Sequence, residues 1–244
     1  TAASSIEQVL SDLSDPLVAD ETRAAGLYSV LDVAARSTLA RYRSTAQLFL
    51  EDLKELPQND ITGQYALEYA RAALMAGDRD LAQSWIGALE IEGVEQPDPY
   101  EIAILEAVDI IAGGDASPAS LRAVEKRLVT TSNTTPREIQ TVGILTSWTG
   151  LGLPLTPVGR DFVSQAVDRG IRIPQGQLIS LKAASQSGAI GEAAMMVLAM
   201  TNGAAGELAP TDFAILLDIL IDMDADEIAR GLALESSNYW RVPE

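Results

Sequence analysis

Carboxylates are the most numerous side chains here that could do chemistry, because the chain has no histidine and no cysteine. These two absences exclude Ser-His-Asp triads, cysteine nucleophiles, thiolate metal sites and disulfides, and zinc loses its two commonest ligands. Hydrolysis at neutral pH would therefore need a carboxylate, a tyrosine or a lysine with a tuned pKa, or a bound metal.

Pairs of acidic residues could serve a glycosidase, in which the two carboxyl groups lie about 5–9.5 Å apart. The candidates are Glu51, Asp52 and Glu55 on one helix face, with Asp12 and Asp15 near a turn. A sugar site also needs aromatic platforms, and the chain has only 3 Trp, 6 Tyr and 3 Phe. Solvated helix faces and helix caps explain most of these acids better.

A calcium loop is the second chemical pattern to test. Asp222, Asp224 and Asp226 alternate as they would at the start of such a loop. The pattern then fails, because Glu227 stands where the turn glycine belongs and Ala233 where the bidentate glutamate belongs. Asp224 and Glu227 fit a helix capping box instead. We therefore predict no metal and no other cofactor.

The lysines offer no clear catalytic base. Lys54 and Lys126 lie beside charged residues at exposed-looking helical positions, and Lys182 alone lies near an apolar stretch. A lysine that extends its amine to water explains Lys182 better than a buried lysine with a depressed pKa. Since the acids are scattered over caps and outer faces, we predict no enzymatic activity.

The chain is strongly acidic, with 17 basic and 35 acidic residues and a net charge of -18. Such a surface repels phosphate backbones and anionic lipids, so nucleic-acid and membrane-surface binding are not expected. Solubility is the simplest reason for the charge, and a basic partner is the more specific one. No apolar run reaches the roughly 20 residues that span a bilayer, so no membrane insertion is predicted.

The chain begins without methionine and without a signal-peptide pattern, which we interpret as a processed or excised form. The absence of cysteine favours a bacterial periplasm or cell envelope over the cytoplasm. The excess of arginine over lysine and the alanine-rich helices favour a bacterial source.

All the elements that position these side chains are predicted to be helices. Apolar residues recur at steps of three and four, and no stretch alternates as a strand would. The predicted helices lie at about 4–13, 20–56 (bent at 36–38), 65–76, 78–89, 98–112, 117–128, 135–149, 156–167, 175–187, 189–201, 210–222 and 225–236.

The pair of helices at 65–89 shows the clearest pattern. Gly77 is expected to end the first helix in a left-handed conformation, and Asp78 to cap the second. Residues 73–78, followed by Leu81-Ala82 and Trp85, resemble the turn of a tetratricopeptide (TPR) repeat. The C-terminal third is similar to uncharacterised proteobacterial helical-repeat proteins, through residues 181–184, 188, 191–193 and 228–235.

Second-helix caps recur at regular spacing. Positions 78, 117 and 156 are 39 residues apart, whereas 156 to 187 is 31 and 187 to 224 is 37. TPR units run near ~34 residues and HEAT or armadillo units near ~40–47. We therefore predict an all-α fold, an α-α superhelix (solenoid) of antiparallel helical hairpins. It would comprise an N-terminal helical region at 1–60 and a repeat region at 61–244, or one continuous domain.

Aromatic residues are the candidate partner-binding residues. Tyr65, Tyr69 and Trp85 surround the best hairpin, where core packing is the simpler explanation and a groove lining the alternative. Tyr239 and Trp240 lie in a tail that we expect to fray outside the core. The sequence thus predicts a non-enzymatic scaffold that binds a peptide or partner protein, a basic one being an option. The alternatives are a carboxylate-based glycan-active enzyme of helical-toroid type and a structural fragment of a larger bacterial envelope protein.

Overall fold

The computed structural model describes residues 6–15, 17–58, 62–89, 97–167, 169–202 and 204–241. Within these residues the fold is all-α, as predicted, with one 3₁₀ turn and one isolated parallel bridge between Ile171 and Leu208. The helices are α1 Ile6–Ser14, α2 Asp20–Ala35, α3 Leu39–Leu48, α4 Leu50–Glu55, α5 Gly63–Ala76, α6 Arg79–Ala88, α7 Pro99–Ile111, α8 Pro118–Thr131, α9 Thr135–Gly150, α10 Pro157–Gln165, α11 Gln175–Gln186, α12 Ile190–Thr201, α13 Pro210–Ile221 and α14 Asp226–Ser236.

The turn between α5 and α6 has the predicted chemistry. Gly77 has a φ of 87°, and its backbone N–H bonds to carbonyls of the last turn of α5. The Asp78 carboxylate accepts a 3.0 Å hydrogen bond from the backbone N–H of Leu81. The prediction of a left-handed glycine followed by an aspartate cap is confirmed.

Two predicted features of helix boundaries differ from the structure. The long region at 20–56 forms three helices, because the chain also breaks at Phe49, between α3 and α4. The predicted capping box at Asp224 is wrong, because the residue before α14 is Ala225 and Asp224 lies in the turn with a φ of 57°.

The start of α10 shows a long-range cap. Glu125 of α8 is 1% exposed, and its carboxylate accepts 2.9 Å hydrogen bonds from the backbone N–H groups of Thr156 and Gly159. The Thr156 hydroxyl also donates to Glu125. The side chain of Glu125 therefore does what a local cap does in other helices.

The chain divides into two compact units. Unit 1 comprises the described residues within Thr1–Leu105 and Tyr239–Val242, and unit 2 those within Glu106–Asn238. The division falls inside α7. The predicted boundary between residues 60 and 61 lies outside the described residues and stays a prediction.

Unit 1 is built around α5, which packs against α2, α3, α4 and α6. Ten consecutive residues of α5, from 66 to 75, are buried. The Tyr69 and Trp85 rings meet edge to face with centroids 5.1 Å apart, and the Tyr69 hydroxyl donates to the Ala24 carbonyl at 2.6 Å. Helix α5 is therefore a core element on all its faces.

Unit 2 is built around the packing of α9 on α13. A Cβ at Gly150 would lie 2.6 Å from the carbonyl oxygen of Ala214, so this close approach requires glycine. In a regular solenoid each hairpin contacts only its neighbours. Helix α9 instead packs against α13, although α10, α11 and α12 lie between them in the sequence. Helices α11 and α12 are therefore not part of the α9–α13 contact.

Candidate functional site

The three aromatic residues predicted around the α5–α6 hairpin lie in and beside the core of unit 1. Tyr69 and Trp85 are 0% exposed, which supports the core-packing explanation. Tyr65 is partly exposed and stacks on Tyr28 with ring centroids 4.5 Å apart. Of these three residues, only Tyr65 could contact a partner without a rearrangement of the core.

The tail does not fray at Tyr239 and Trp240, so this expectation is wrong. Both side chains are buried, and their rings meet edge to face with centroids 5.8 Å apart. Arg241 also donates a 2.6 Å hydrogen bond to the carbonyl of Ser37. Two large aromatic residues gain more by filling unit 1 than by staying in water, so the tail joins the core.

A buried polar cluster in unit 1 was not foreseen from the sequence. The Glu68 carboxylate accepts a 2.8 Å hydrogen bond from the Tyr42 hydroxyl and pairs with Arg71 at 3.4 Å. Arg71 also pairs with Glu101 at 2.9 Å. Burial raises the pKa of Glu68, although the Arg71 guanidinium opposes that shift. The cluster satisfies its own members and is structural.

The other candidate catalytic groups do not converge. Lys54 pairs with Glu51 at 2.8 Å and with Asp78 at 3.2 Å, while Lys182 is exposed. Asp12 accepts a hydrogen bond from its own helix, and Asp15 from a neighbouring turn N–H. Within the described residues, no group of three or more metal-binding side chains could hold an ion.

Helix α12 exposes more large apolar side chains than any other helix of the described chain. Its residues Ile190, Met195 and Leu198 are 67%, 68% and 65% exposed. Three other exposed residues of α12 are small, namely Gly191, Ala194 and Ala199, and the remaining exposed residue is Glu192. We call these six residues the α12 face. A soluble helix normally presents charged or polar side chains at such positions.

The periodicity of the helix places these residues together. Ile190, Ala194 and Leu198 follow one another at steps of four, and so do Gly191, Met195 and Ala199. Residues four apart lie one above the other on a helix, so the six form two adjacent apolar rows. The side of α12 that packs inward carries Ala193, Val197 and Thr201, and it adjoins the row of Ile190, Ala194 and Leu198.

An open pocket borders the α12 face. It has a volume of about 320 Å³ and lies between α11 and α12. Its lining residues are Gly176, Gln177, Ser180, Met196, Ala199 and Met200. Methionine is unbranched and polarisable, so it adapts to the shape of what it contacts. The face and the pocket share Ala199, and the exposed Glu192 lies one helical turn before Met195 and Met196, where the two meet.

The base of the α11–α12 hairpin is fixed where the chain enters and leaves it. The backbone N–H of Ile171 donates to the carbonyl of Glu207 at 2.7 Å, and that of Ala209 donates back to Ile171 at 2.9 Å. The buried Asp212 carboxylate accepts a 2.9 Å hydrogen bond from the backbone N–H of Ile173. The α12 face is therefore presented by a hairpin with an anchored base.

The hairpin is almost without charge, in contrast with the chain as a whole. Between residues 175 and 201 the charged side chains are Lys182 and Glu192, both exposed. These two cancel, so the net charge of -18 lies in the rest of the sequence. Long-range electrostatic attraction is consequently weak at this site, and burial of apolar surface would supply most of the binding free energy.

Sequence reasoning missed the α12 face, although a signal was present. The segment IGEAAMMVLAMT has one charged residue, Glu192, and its apolar residues occupy the whole circumference of the helix. A helix that is apolar all round must be covered on every side or must expose apolar surface. Only the contacts of the folded chain decide between these outcomes.

No protein-family model, curated protein or solved structure matches this chain. Within the described residues, no helix is both long and apolar enough to cross a membrane.

Proposed function

We propose that this protein is a non-enzymatic interaction scaffold that binds an apolar segment of a partner protein on the α12 face. The observation that carries the proposal is the exposure of Ile190, Met195 and Leu198 on one anchored helix. Contiguous apolar surface of this kind costs solubility in a free protein, so it marks interaction sites in soluble proteins.

The arrangement has the parts of a helix-binding groove. Met196 and Met200 line the adjoining pocket and could receive a large apolar side chain of the partner. The two rows of the face could pack against residues spaced at three and four on an incoming helix. Because hydrogen bonds fix the base of the hairpin, binding loses less conformational entropy than it would on a mobile segment.

A helical-repeat architecture belongs to the same proposal. The α5–α6 turn has a left-handed Gly77 followed by the Asp78 cap, and the proposal draws on this one local feature. The hairpins α5–α6, α11–α12 and α13–α14, each made of two helices in contact, support an architecture of paired helices. The packing of α9 on α13 distinguishes unit 2 from a regular superhelix.

Absence of catalysis is also part of the proposal. The buried carboxylates of Glu68 and Glu125 are occupied by hydrogen bonds within the fold. Lys182, the residue nearest to an apolar stretch in the sequence, is exposed. No residue at the α12 face could transfer a proton, since all six side chains lack a titratable group.

Binding of an uncharged amphipathic helical peptide, with leucines spaced at three and four, tests the proposal by calorimetry in dilute protein. We expect binding with a negative heat-capacity change, because apolar surface is buried. Met195→Glu should abolish binding, since it places a charge in the centre of the face. Val158→Glu is the matched control, because Val158 is 56% exposed on α10. Equal binding by both variants, or no binding by the native chain, would contradict the proposal.

A further inference from the structure

We propose that the occupant of the α12 face is a second copy of this chain, bound by antiparallel packing of two α12 helices about a two-fold axis. This inference rests on the proposed function, because it names the partner of the same surface. It concerns one contact of stated geometry, so it can fail while the proposed function survives.

The α12 face is complementary in shape to itself. In an antiparallel pair whose two-fold axis passes at the level between Ala194 and Met195, Gly191 of each copy lies opposite Leu198 of the other. Both are exposed, and a Cβ at Gly191 would meet nothing within 4 Å in the free chain. Each Leu198 can therefore fill the space above a glycine, and the two-fold makes this contact twice.

The centre and flanks of the pair fit the same arrangement. Ala194 lies near its own copy on one side of the axis, where its small side chain leaves room, and Met195 lies near its own copy on the other side. Met195 and Ile190 lie on either side of this seam, where their long side chains can cover the partner helix. Antiparallel helices also align their dipoles favourably.

The distribution of charge favours a second copy over a basic partner. Each copy carries -18, so two copies repel one another over most of their surfaces. The hairpin at residues 175–201 carries one positive and one negative charge and has no net repulsion of its own. A basic partner would find its counter-charges elsewhere on the chain, whereas two neutral apolar faces suit each other.

The size of the contact predicts a weak dimer. Helix α12 has 12 residues, which corresponds to a length of about 18 Å. Two such helices bury less than the roughly 800 Å² per partner of a standard stable interface. We therefore expect a dissociation constant in the micromolar range, on the order of 1–100 μM, and free monomer in dilute solution.

Sedimentation velocity over a concentration series tests the inference. We expect native protein to shift from monomer to dimer as its concentration rises through the micromolar range. Met195→Glu should remain monomeric at every concentration, and Val158→Glu should dimerise like native protein. Raising the salt from about 0.01 M to 0.15 M should strengthen the dimer several-fold, because screening weakens the repulsion between two acidic chains.

A pair of glycine variants tests the geometry itself. Gly191→Leu should weaken dimerisation at least tenfold, because the new side chain collides with Leu198 of the other copy. Gly87→Leu in α6 is the control, since a Cβ there also meets nothing within 4 Å. The double variant Gly191→Leu with Leu198→Ala should regain part of the affinity by restoring a large-to-small pair. Dimerisation that survives Gly191→Leu would overturn the inference.

Peptide binding distinguishes a failure of the second-copy inference from a failure of the proposed function. If native protein stays monomeric at 1 mM but binds the uncharged peptide at the α12 face, the second copy is excluded and the proposed function stands. If a lysine-rich helical peptide binds this face instead, and less tightly as salt rises, the occupant is a basic partner and the inference is again overturned. If native protein neither dimerises nor binds either peptide, both proposals fail.

Discussion

Helices α5 and α12 have similar compositions and opposite surroundings. Both are rich in alanine and methionine or leucine, with 14 and 12 residues respectively. Residues 66–75 of α5 are all buried, including Glu68 and Arg71, whereas α12 buries only Ala193, Val197 and Thr201. Apolar composition therefore does not place a helix in a core. The number of elements that pack around it does.

The different surroundings of α5 and α12 have different energetic consequences. Helix α5 is surrounded by α2, α3, α4 and α6, and this allows even an ion pair to be buried because each charge finds a partner. Helix α12 packs mainly on α11, so its second side keeps its apolar groups in water. The first arrangement stabilises the monomer, and the second leaves free energy available for association.

A matched pair of leucine truncations gives the largest expected difference between the two helices. Leu67→Ala in α5 should lower the free energy of unfolding by about 2–5 kcal/mol, because Leu67 is 1% exposed and its loss leaves a cavity. Leu198→Ala in α12 should change it by no more than about 0.5 kcal/mol. Urea unfolding in dilute protein measures both. Similar losses for the two variants would mean that α12 is packed within the monomer.

Replacing one glutamate by glutamine in each helix gives the next largest difference in the free energy of unfolding. Glu68→Gln should cost about 1–3 kcal/mol, because Arg71 then stays buried with a weaker partner. Glu192→Gln on the exposed part of α12 is the control and should have almost no effect. Both changes in the free energy of unfolding are measured from the denaturant midpoints of variants whose m-value equals that of the native protein. A neutral result for Glu68→Gln would show that the buried cluster does not stabilise unit 1.

The α5–α6 turn should respond to a substitution that the backbone alone opposes. Gly77→Val should cost about 1–2 kcal/mol, since Gly77 has a φ of 87° and the added side chain has open space around it. Gly87→Ala, inside α6 and equally open, should instead stabilise the protein by about 0.5–1 kcal/mol. Thermal unfolding of the two variants should therefore shift in opposite directions. Shifts of the same sign would contradict the assigned turn.

The Asp78 cap should give the smallest effect, and one that depends on pH. The hydrogen bond from the Leu81 N–H and the proximity of Lys54 hold the pKa of Asp78 below its ordinary value. A lowered folded-state pKa adds stability above the unfolded value near 3.9, and this stability is lost as the pH falls through the folded value. Asp78→Ala should cost about 1 kcal/mol at pH 7 and less below pH 3. A cost that does not change between these pH values would exclude the carboxylate as its source.

Sequence reasoning succeeded where the signal was local. Gly77 and Asp78 mark the end of one helix and the start of the next within two residues, and Ser117 caps α8 in the same way. Such caps act through neighbouring backbone groups, so their effect can be predicted without the fold. This explains why the all-α class and most helix positions were correctly predicted.

The rest depends on contacts between distant parts of the chain. The cap of α10 comes from Glu125, 31 residues before Thr156, and the burial of Tyr239 requires the core of unit 1. Helix α12 packs mainly on α11, and no local pattern in the sequence shows how many helices surround it. Burial of an aromatic residue is decided by tertiary packing, so the partner-binding role of the aromatic residues stays a prediction.

The rate of labelling of a single introduced cysteine shows whether the α12 face is exposed in the monomer and covered in the dimer. The native chain has no cysteine, so all labelling occurs at the introduced thiol. Ala194→Cys places the thiol on the α12 face, and Ala72→Cys, at a 0% exposed position of α5, is the buried reference. In dilute protein the thiol of the α12 variant should react as fast as a free thiol, and the thiol of the α5 variant far more slowly. As the protein concentration rises through the dimer range, the α12 thiol alone should become protected. An α12 thiol that reacts as slowly as the α5 thiol in dilute protein, or equally fast at all concentrations, would contradict the account.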